Sequence, residues 1–278
     1  MILVDLNQVM ISNLMMNLQG NQGAVDENLV RHMVFNSLRM YKQKFNKQYG
    51  DLVICCDDMN YWRKDIFPFY KASRKTDREK SPYDWNEIFT ALNNIREEIK
   101  ENAPYKVIQV ERAEADDIIG TICHELGQQL GGDPILILSG DKDFQQLQVY
   151  SNVTQFSPIL KKFLKCNDPT GYLLEHAIKG DRGDGVPNIL SEPDVFVNGG
   201  RQKPITKKKL KAFEENHPTD NERFMTNMQL VNLELVPDNI KASALEQLYS
   251  TVQGSKRKLL DLFIAKRMNL LIESIEEF

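Results

Sequence analysis

Four short runs in the first half of the chain are almost continuously apolar: ILVD at 2–5, LVICCD at 52–57, YKVIQV at 105–110 and PILILS at 134–139. Runs of that length and character predict strands buried on both faces, as in a parallel sheet covered by helices. Between them lie helix-length patterns near 6–19, 27–47, 84–102 and 115–130. The alternation predicts an α/β domain built on a central, mostly parallel sheet with helices on both faces. From about residue 168 the strand signals fade and helical patterns continue to the C-terminus. The Gly/Pro-bearing stretch 180–204 marks the change of architecture, dividing the chain into an α/β core over 1–180 and a helical region over 181–278.

A chain of 278 residues is long enough for such a core and a smaller helical region. Its four cysteines, Cys55, Cys56, Cys123 and Cys166, form no C-x-x-C pair and read as reduced thiols. The N-terminus lacks a basic segment leading into a long apolar stretch, and no window approaches the roughly 18 apolar residues of a membrane span. These features predict a soluble, cytoplasmic protein with no membrane partner. The net charge of −4 argues against a phosphate-rich partner. Basic residues nevertheless bunch in RKTDREK at 74–80 and RQKPITKKKLK at 201–211, so acidic and basic surfaces are separated along the chain.

Ligands of an open parallel sheet gather at the carboxyl ends of its strands. Every predicted strand carries acid there: Asp5 after the first, Asp57 and Asp58 after the second, Glu114, Asp116 and Asp117 after the third, Asp141 and Asp143 after the fourth. Asp181 and Asp184 follow in KGDRGDGVPN. A lone aspartate after a strand is ordinarily a turn or N-cap residue, and Asp58 keeps that reading. Recurrence at one crevice is different, because two unit charges about 4 Å apart repel by roughly 4 kcal/mol at an effective dielectric of about 20. Such a cluster calls for cations, and oxygen ligands select hard ones, Mg²⁺ or Mn²⁺. The number of acids suits two ions acting on a phosphodiester. His32, His124, His176 and His217 show no metal-ligand spacing and read as helix-surface or core residues. Neither G-x-x-x-x-G-K-[ST] nor G-x-S-x-G occurs, which excludes a P-loop NTPase and a serine hydrolase of that type.

VDLNQ, CCDD, ERAEADD, LSGDKDFQQL and IKGDRGDGVPN occur in that order, with YWRKDIFPFYKASRK at 61–75 and the C-terminal SIEEF. Together they resemble the 5′ nuclease (flap endonuclease) superfamily over nearly the whole chain, most closely the branch of the T-even phage ribonucleases H. The resemblance implies a magnesium-dependent 5′ to 3′ exonuclease and flap endonuclease with ribonuclease H activity, acting on flapped duplex DNA and RNA–DNA hybrids in replication. It places Asp5, Asp57, Glu114, Asp116 and Asp141 around a first metal, and Asp117, Asp143, Asp181 and Asp184 around a second. Asp116 and Asp141, with Lys71 and Arg74, would be the catalytic residues.

Pro68 suits the first turn of a helix, from which Tyr70, Lys71 and Arg74 fall at spacings that share a face. The resemblance makes this a gateway helix, its cations near the scissile phosphate, Tyr70 stacking on a frayed base and Lys75 beside them on the strand. The charged stretch near 66–84 would be a helical arch, flexible until a single strand passes through it, with Trp62 and Trp85 as packing anchors at its flanks. KGDRGDGVPN resembles a helix-three-turn-helix element whose Gly183 and Gly185 offer amides to duplex phosphates. ILSEPDVFVNGGRQKPITKKKL replaces the compact continuation of other branches, and Lys207, Lys208 and Lys209 are its candidate phosphate contacts. Expected partners are a single-strand binding protein and a sliding clamp, docking on helices from about 220 onward. The short lead before Asp5 leaves little room for an N-terminal clamp peptide. A monomer is expected. The competing readings are a non-catalytic junction binder and a compact endoribonuclease with a similar acidic sheet.

Overall fold

A computed structural model of the protein describes residues 1–20, 25–129, 131–216 and 220–278; His217 lies outside them. β1 (Ile2–Asp5) runs directly into α1 (Leu6–Gly20), followed by α2 (Glu27–Tyr49) and β2 (Leu52–Cys56). Next come α3 (Arg63–Ile66), α4 (Ser73–Glu79), α5 (Trp85–Asn102), β3 (Lys106–Gln109), α6 (Ala115–Gly127) and β4 (Ile135–Leu138). Side-chain caps set two helix starts: Asp26 accepts the Leu29 amide at α2, and Asp84 accepts those of Asn86 and Glu87 at α5.

With β5 (Val153–Ser157) and β6 (Lys162–Leu164), the sheet order is β3-β2-β1-β4-β5-β6, and the strands from β3 through β5 are parallel. Alternate residues feed opposite cores, as the two-residue strand period requires. Ile2, Val4, Leu52, Ile54, Leu136 and Leu138 face one core, while Leu3, Val53, Ile135 and Ile137 face the other. The last two strands, β5 (Val153–Ser157) and antiparallel β6 (Lys162–Leu164), lie outside the four expected runs. The sequence VTQFS interrupts its apolar residues with Gln155, which is nonetheless fully buried, so a search for apolar runs passes over it.

After β6 the described elements are helices, with 180–206 irregular between the first two: α7 (Pro169–Lys179), α8 (Lys207–Asn216), α9 (Glu222–Val231), α10 (Asp238–Tyr249), α11 (Lys256–Ala265) and α12 (Asn269–Ile272). Although strands end near residue 164, the cores cross that point. Ile240 and Ala244 of α10 pack with Ile118, Ile119 and Ile122 of α6. Phe263 of α11 and the C-terminal Phe278 close on Phe35 of α2 in edge-to-face contacts of 5.2–6.5 Å. A third cluster joins Phe67 and Tyr70 to Ala177 and Ile178 of α7 and to Phe224 and Leu230 of α9, tying the base of the arch to the helical region.

The arch is helical, as expected, but its helix begins later than Pro68 suggests. Its helix starts at Ser73 instead of Pro68, because Lys71 adopts φ 55°, a left-handed conformation that a right-handed helix cannot absorb. The Lys71 amide donates to the Asp184 carbonyl at 2.7 Å, so the segment is docked on the 181–185 loop. Beyond it the expected helical arch forms α4, none of whose residues is buried.

Candidate metal centre

β1 lies between β2 and β4, so the sheet grows in one direction from β1 through β3 and in the other from β4 onward. This is a topological switch point, where a crevice opens at the strand carboxyl ends. Asp5 stands at its centre, accepting the Gln8 amide and the Ser139 hydroxyl, both at 3.1 Å. Asp57 accepts the Ala115 amide at 2.7 Å and the side-chain amide of Asn7. The Asp141 loop is held by Gln155, whose side chain donates to the Ser139 and Asp141 carbonyls at 3.0 and 2.6 Å. Asp58 also lines the crevice and accepts the Arg112 amide at 2.8 Å, a contact across 54 residues where the sequence predicts a local turn or cap bond.

A cavity of about 960 Å³ brings Asp5, Asp57, Glu114, Asp116 and Asp141 together with Lys71, Arg74 and Trp85. A separate cavity of about 790 Å³ between Trp62 and Pro237 shares none of these residues. Burial, then Asp57 and Asp141, push Asp5 up to about 7. Burial followed by Asp141 and Asp5 raises Asp116 well above the carboxylate range, and burial raises Asp57. These acids resist ionising together unless a cation joins them. An all-oxygen donor set with that electrostatic need fits hard divalent ions.

A second cluster adjoins the first. One ligand atom each from Asp143, His176 and Asp181 lies within 4.8 Å of the others. Burial, with Asp141, Asp181 and Asp184, pushes Asp143 up to about 7 against the pull of His176. Burial alone would raise Asp181, but the His176 hydrogen bond and the Asp184 amide hold it down at about 2. His176, read from the sequence as a helix-surface or core residue, lies in the last turn of α7 with its side chain largely buried and joins this cluster. Its distance of five residues from Asp181 across the end of α7 was the available signal.

Asp117 departs from its expected place at the second metal. Fully buried, it accepts Trp62 Nε1 at 3.0 Å and the Glu114 amide at 2.9 Å, and pairs with Arg63 at 2.7 Å. Its Oδ2 takes the hydrogen bonds of Trp62, Arg63 and the Glu114 amide while Oδ1 faces Arg63 alone, and removing one partner of such a buried pair costs about 3–5 kcal/mol. Arg63 also donates to Glu114 Oε2 at 2.9 Å and to the Leu230 carbonyl at 2.7 Å. Glu114 faces the crevice through Oε1, which is paired with Lys71.

Tyr70 is a second correction. Its ring is 3% exposed, and its hydroxyl lies 2.8 Å from both Glu114 Oε2 and Asp184 Oδ2, so it braces the two loops and offers no face to a base. Lys71 reaches Asp184 at 3.5 Å as well as Glu114, and these acids hold its ammonium above the ordinary value despite burial. Arg74 pairs with Asp184 at 2.7 Å, while Lys75 is exposed on α4. Gly185 is a third correction: it is buried, its amide donates to the Arg182 carbonyl, and its φ of 74° packs it against the Phe69 carbonyl. Gly183 remains exposed. Lys207, Lys208 and Lys209 occupy the first turn of α8, fully on the surface, behind a Thr206 hydroxyl that accepts the Lys209 amide at 3.3 Å.

Comparison with known proteins agrees with this geometry. The family described as 5'-3' exonuclease, N-terminal resolvase-like domain, matches residues 1–172, and T4 RNase H, C terminal, matches residues 172–278. Ribonuclease H of Enterobacteria phage T4 is 29% identical over 292 residues, covering 99% of this chain and 95% of the relative. Flap endonuclease Xni of Shewanella sp. (strain MR-4) is 29% identical over 136 residues, 46% of this chain and 48% of the relative. The solved T5 5'-exonuclease with bound zinc superposes with a TM-score of 0.62 at 16% identity, over 89% of this chain and 98% of that one. A T5 flap endonuclease complex with DNA and metal ions gives 0.63 at 16% identity, over 96% and 98%. The structural likeness speaks to the fold and the sequence matches to descent, so with the acids gathered at the switch point the chain belongs to the 5'-3' exonuclease family, in the T4 ribonuclease H branch.

Proposed function

We propose that the protein hydrolyses phosphodiesters at the 5′ ends and flaps of DNA and RNA–DNA duplexes, removing RNA primers and flaps, with two Mg²⁺ ions for which Mn²⁺ can substitute. One observation carries the reading: Asp5, Asp57, Asp116 and Asp141 share a single cavity with Lys71 and Arg74. In it, Asp5, Asp57, Asp116 and Asp141, with Glu114 beside them, hold the first ion, while Asp143, Asp181 and Asp184, outside the cavity's lining, surround the second. Bound there, the ions supply an activated water and offset charge on the leaving oxygen. Lys71 and Arg74 are tethered to Glu114 and Asp184, so an incoming phosphate competes with those carboxylates and draws the cations toward the transition-state charge.

Residues 1–180 form the catalytic part and 181–278 the helical DNA-binding part. Lys75 and Gly183 face the nucleic acid, and α8 grips duplex phosphate. Three lysines in a helix's first turn oppose its dipole, a conflict that a bound phosphate relieves. Exposed Tyr249, Ile264 and Leu270 support docking of a single-strand binding protein or clamp on the last helices of a monomeric enzyme. Free thiols at Cys55, Cys56, Cys123 and Cys166 support a reducing, cytoplasmic setting, and no helix among the described residues is long and apolar enough to cross a membrane.

The test is cleavage of a 5′-labelled flap in Mg²⁺ by the parent and by Asp116→Asn and Asp141→Asn, with circular dichroism confirming the fold. Cleavage by the parent and none by the variants is expected. A parent that shifts the flap in a gel without shortening it, or variants that cut at the parental rate, would overturn the proposal.

A further inference from the structure

An all-carboxylate second site needs no nitrogen, yet one is built into it. His176 lies in the last turn of α7 with its side chain 9% exposed and its ring packed on Tyr172 at 5.7 Å. Its two nitrogens are treated differently. Nε2 is 3.3 Å from Asp181 Oδ2, whereas Nδ1 is buried without a hydrogen-bond partner and is aimed at Asp143 Oδ1, 3.4 Å away. The backbone enforces this arrangement. Gly180 has φ 68°, and a Cβ there would lie 2.4 Å from the Val186 carbonyl, so the chain folds back tightly and returns Asp181 over the end of the helix. Asp181 is fixed in turn, its Oδ1 accepting the Asp184 amide at 3.1 Å.

We infer that His176 is a nitrogen ligand at the second metal position, its Nδ1 lone pair coordinating beside Asp143 while Nε2–H donates to Asp181. A carboxylate that accepts the far N–H of a ligating histidine holds its tautomer and ring orientation. Asp181 is therefore a positioning residue at this site, one shell outside the ion. The inference rests on the two-ion reading above and refines it. Imidazole suits first-row transition ions better than Mg²⁺, which prefers oxygen and retained water. The second position accordingly takes Mn²⁺ in preference to Mg²⁺, while the all-oxygen crevice around Asp5 does not discriminate in this way.

The experiment uses the full chain without DNA, loaded with Mn²⁺ or Mg²⁺, and compares the parent with His176→Gln and His176→Lys after melting curves confirm that each folds. Calorimetric titration counts the ions, and pulsed electron paramagnetic resonance reads ¹⁴N coupled to Mn²⁺. The parent is expected to bind two Mn²⁺, one of them with a directly coupled nitrogen. His176→Gln should remove that coupling and weaken one Mn²⁺ by roughly 10- to 100-fold, with a smaller loss for Mg²⁺. Two bound Mn²⁺ in the parent with no ¹⁴N coupling would overturn the inference and leave the nuclease reading intact. Restoration of Mn²⁺ affinity by His176→Lys would overturn it too, since a plain counter-charge would then suffice. Absence of any bound Mn²⁺ together with absence of flap cleavage in Mg²⁺ would remove both.

Discussion

Asp141 and Asp143 are two residues apart, yet they belong to clusters built on different principles. The crevice around Asp5 stands on strand ends of a buried sheet and gathers like charges, so Asp5 is pushed up to about 7. The cluster around Asp143 stands on a 3₁₀ turn, the end of α7 and the 181–185 loop, and it includes its own potential cation. There Asp143 is pushed up to about 7 as Asp5 is, but Asp181, bonded to His176, stays at about 2. A third set of acids, Glu114 and Asp117, receives Arg63 and Lys71 from the arch side. The contrast teaches that an acid's task is set by where its counter-charge comes from. Asp117 is paired with Arg63 inside the protein, whereas Asp116 beside it is raised by burial and by Asp141 and Asp5.

The sharpest way to break that contrast is to neutralise the crevice. Asp141→Asn should lower Mg²⁺-dependent cleavage by about a thousandfold or more under single-turnover conditions, at least the upper range for losing one electrostatic stabiliser. Next in size is the arch-side brace. Arg63→Met should destabilise the metal-free protein by about 3–5 kcal/mol in denaturant titrations, because it leaves Asp117 and Glu114 buried without their partner. Asp117→Asn should likewise cost stability while keeping Mg²⁺ affinity near the parental value. If it loses Mg²⁺ as completely as Asp116→Asn does, the distinction between the neighbours is wrong.

Titration gives a third, smaller effect. Folded and metal-free, Asp5 holds a proton up to about pH 7, whereas the unfolded chain releases it near the ordinary aspartate value of 3.8. Its stabilising contribution is therefore complete below that lower value and is lost as pH rises through about 7. Asp181 runs the other way, its contribution being present above 3.8 and lost as pH falls through about 2. Melting curves in chelator should show Asp5→Asn flattening the decline toward neutral pH, and Mg²⁺ should stabilise the parent more at about pH 8 than at about pH 5. An equal Mg²⁺ shift at both values would contradict the crevice electrostatics. Smallest is the effect of α8: replacing Lys207, Lys208 and Lys209 with alanine should reduce the salt slope of duplex binding by about 0.9 for each phosphate that is no longer neutralised. Metal titrations of that variant should match the parent.

Much of this was legible in the chain itself. Four apolar runs and the acids that end them specify a parallel sheet with a charged crevice, because strands buried on both faces must be apolar throughout and parallel strands end on one edge. Aspartates at 26 and 84 mark helix starts through local hydrogen bonds that need no tertiary partner. What sequence could not assign was direction. Asp116 and Asp117 are neighbours on a helix, about 100° apart around its axis, and Asp117 is turned inward by its local bond to the Glu114 amide together with Trp62 and Arg63, the latter 54 residues earlier. Tyr70, the left-handed Lys71, Gly185 and the paired His176 share that dependence. Local pattern records what a residue does to its own backbone, whereas these roles arise from groups that the folded chain brings together across long stretches of sequence.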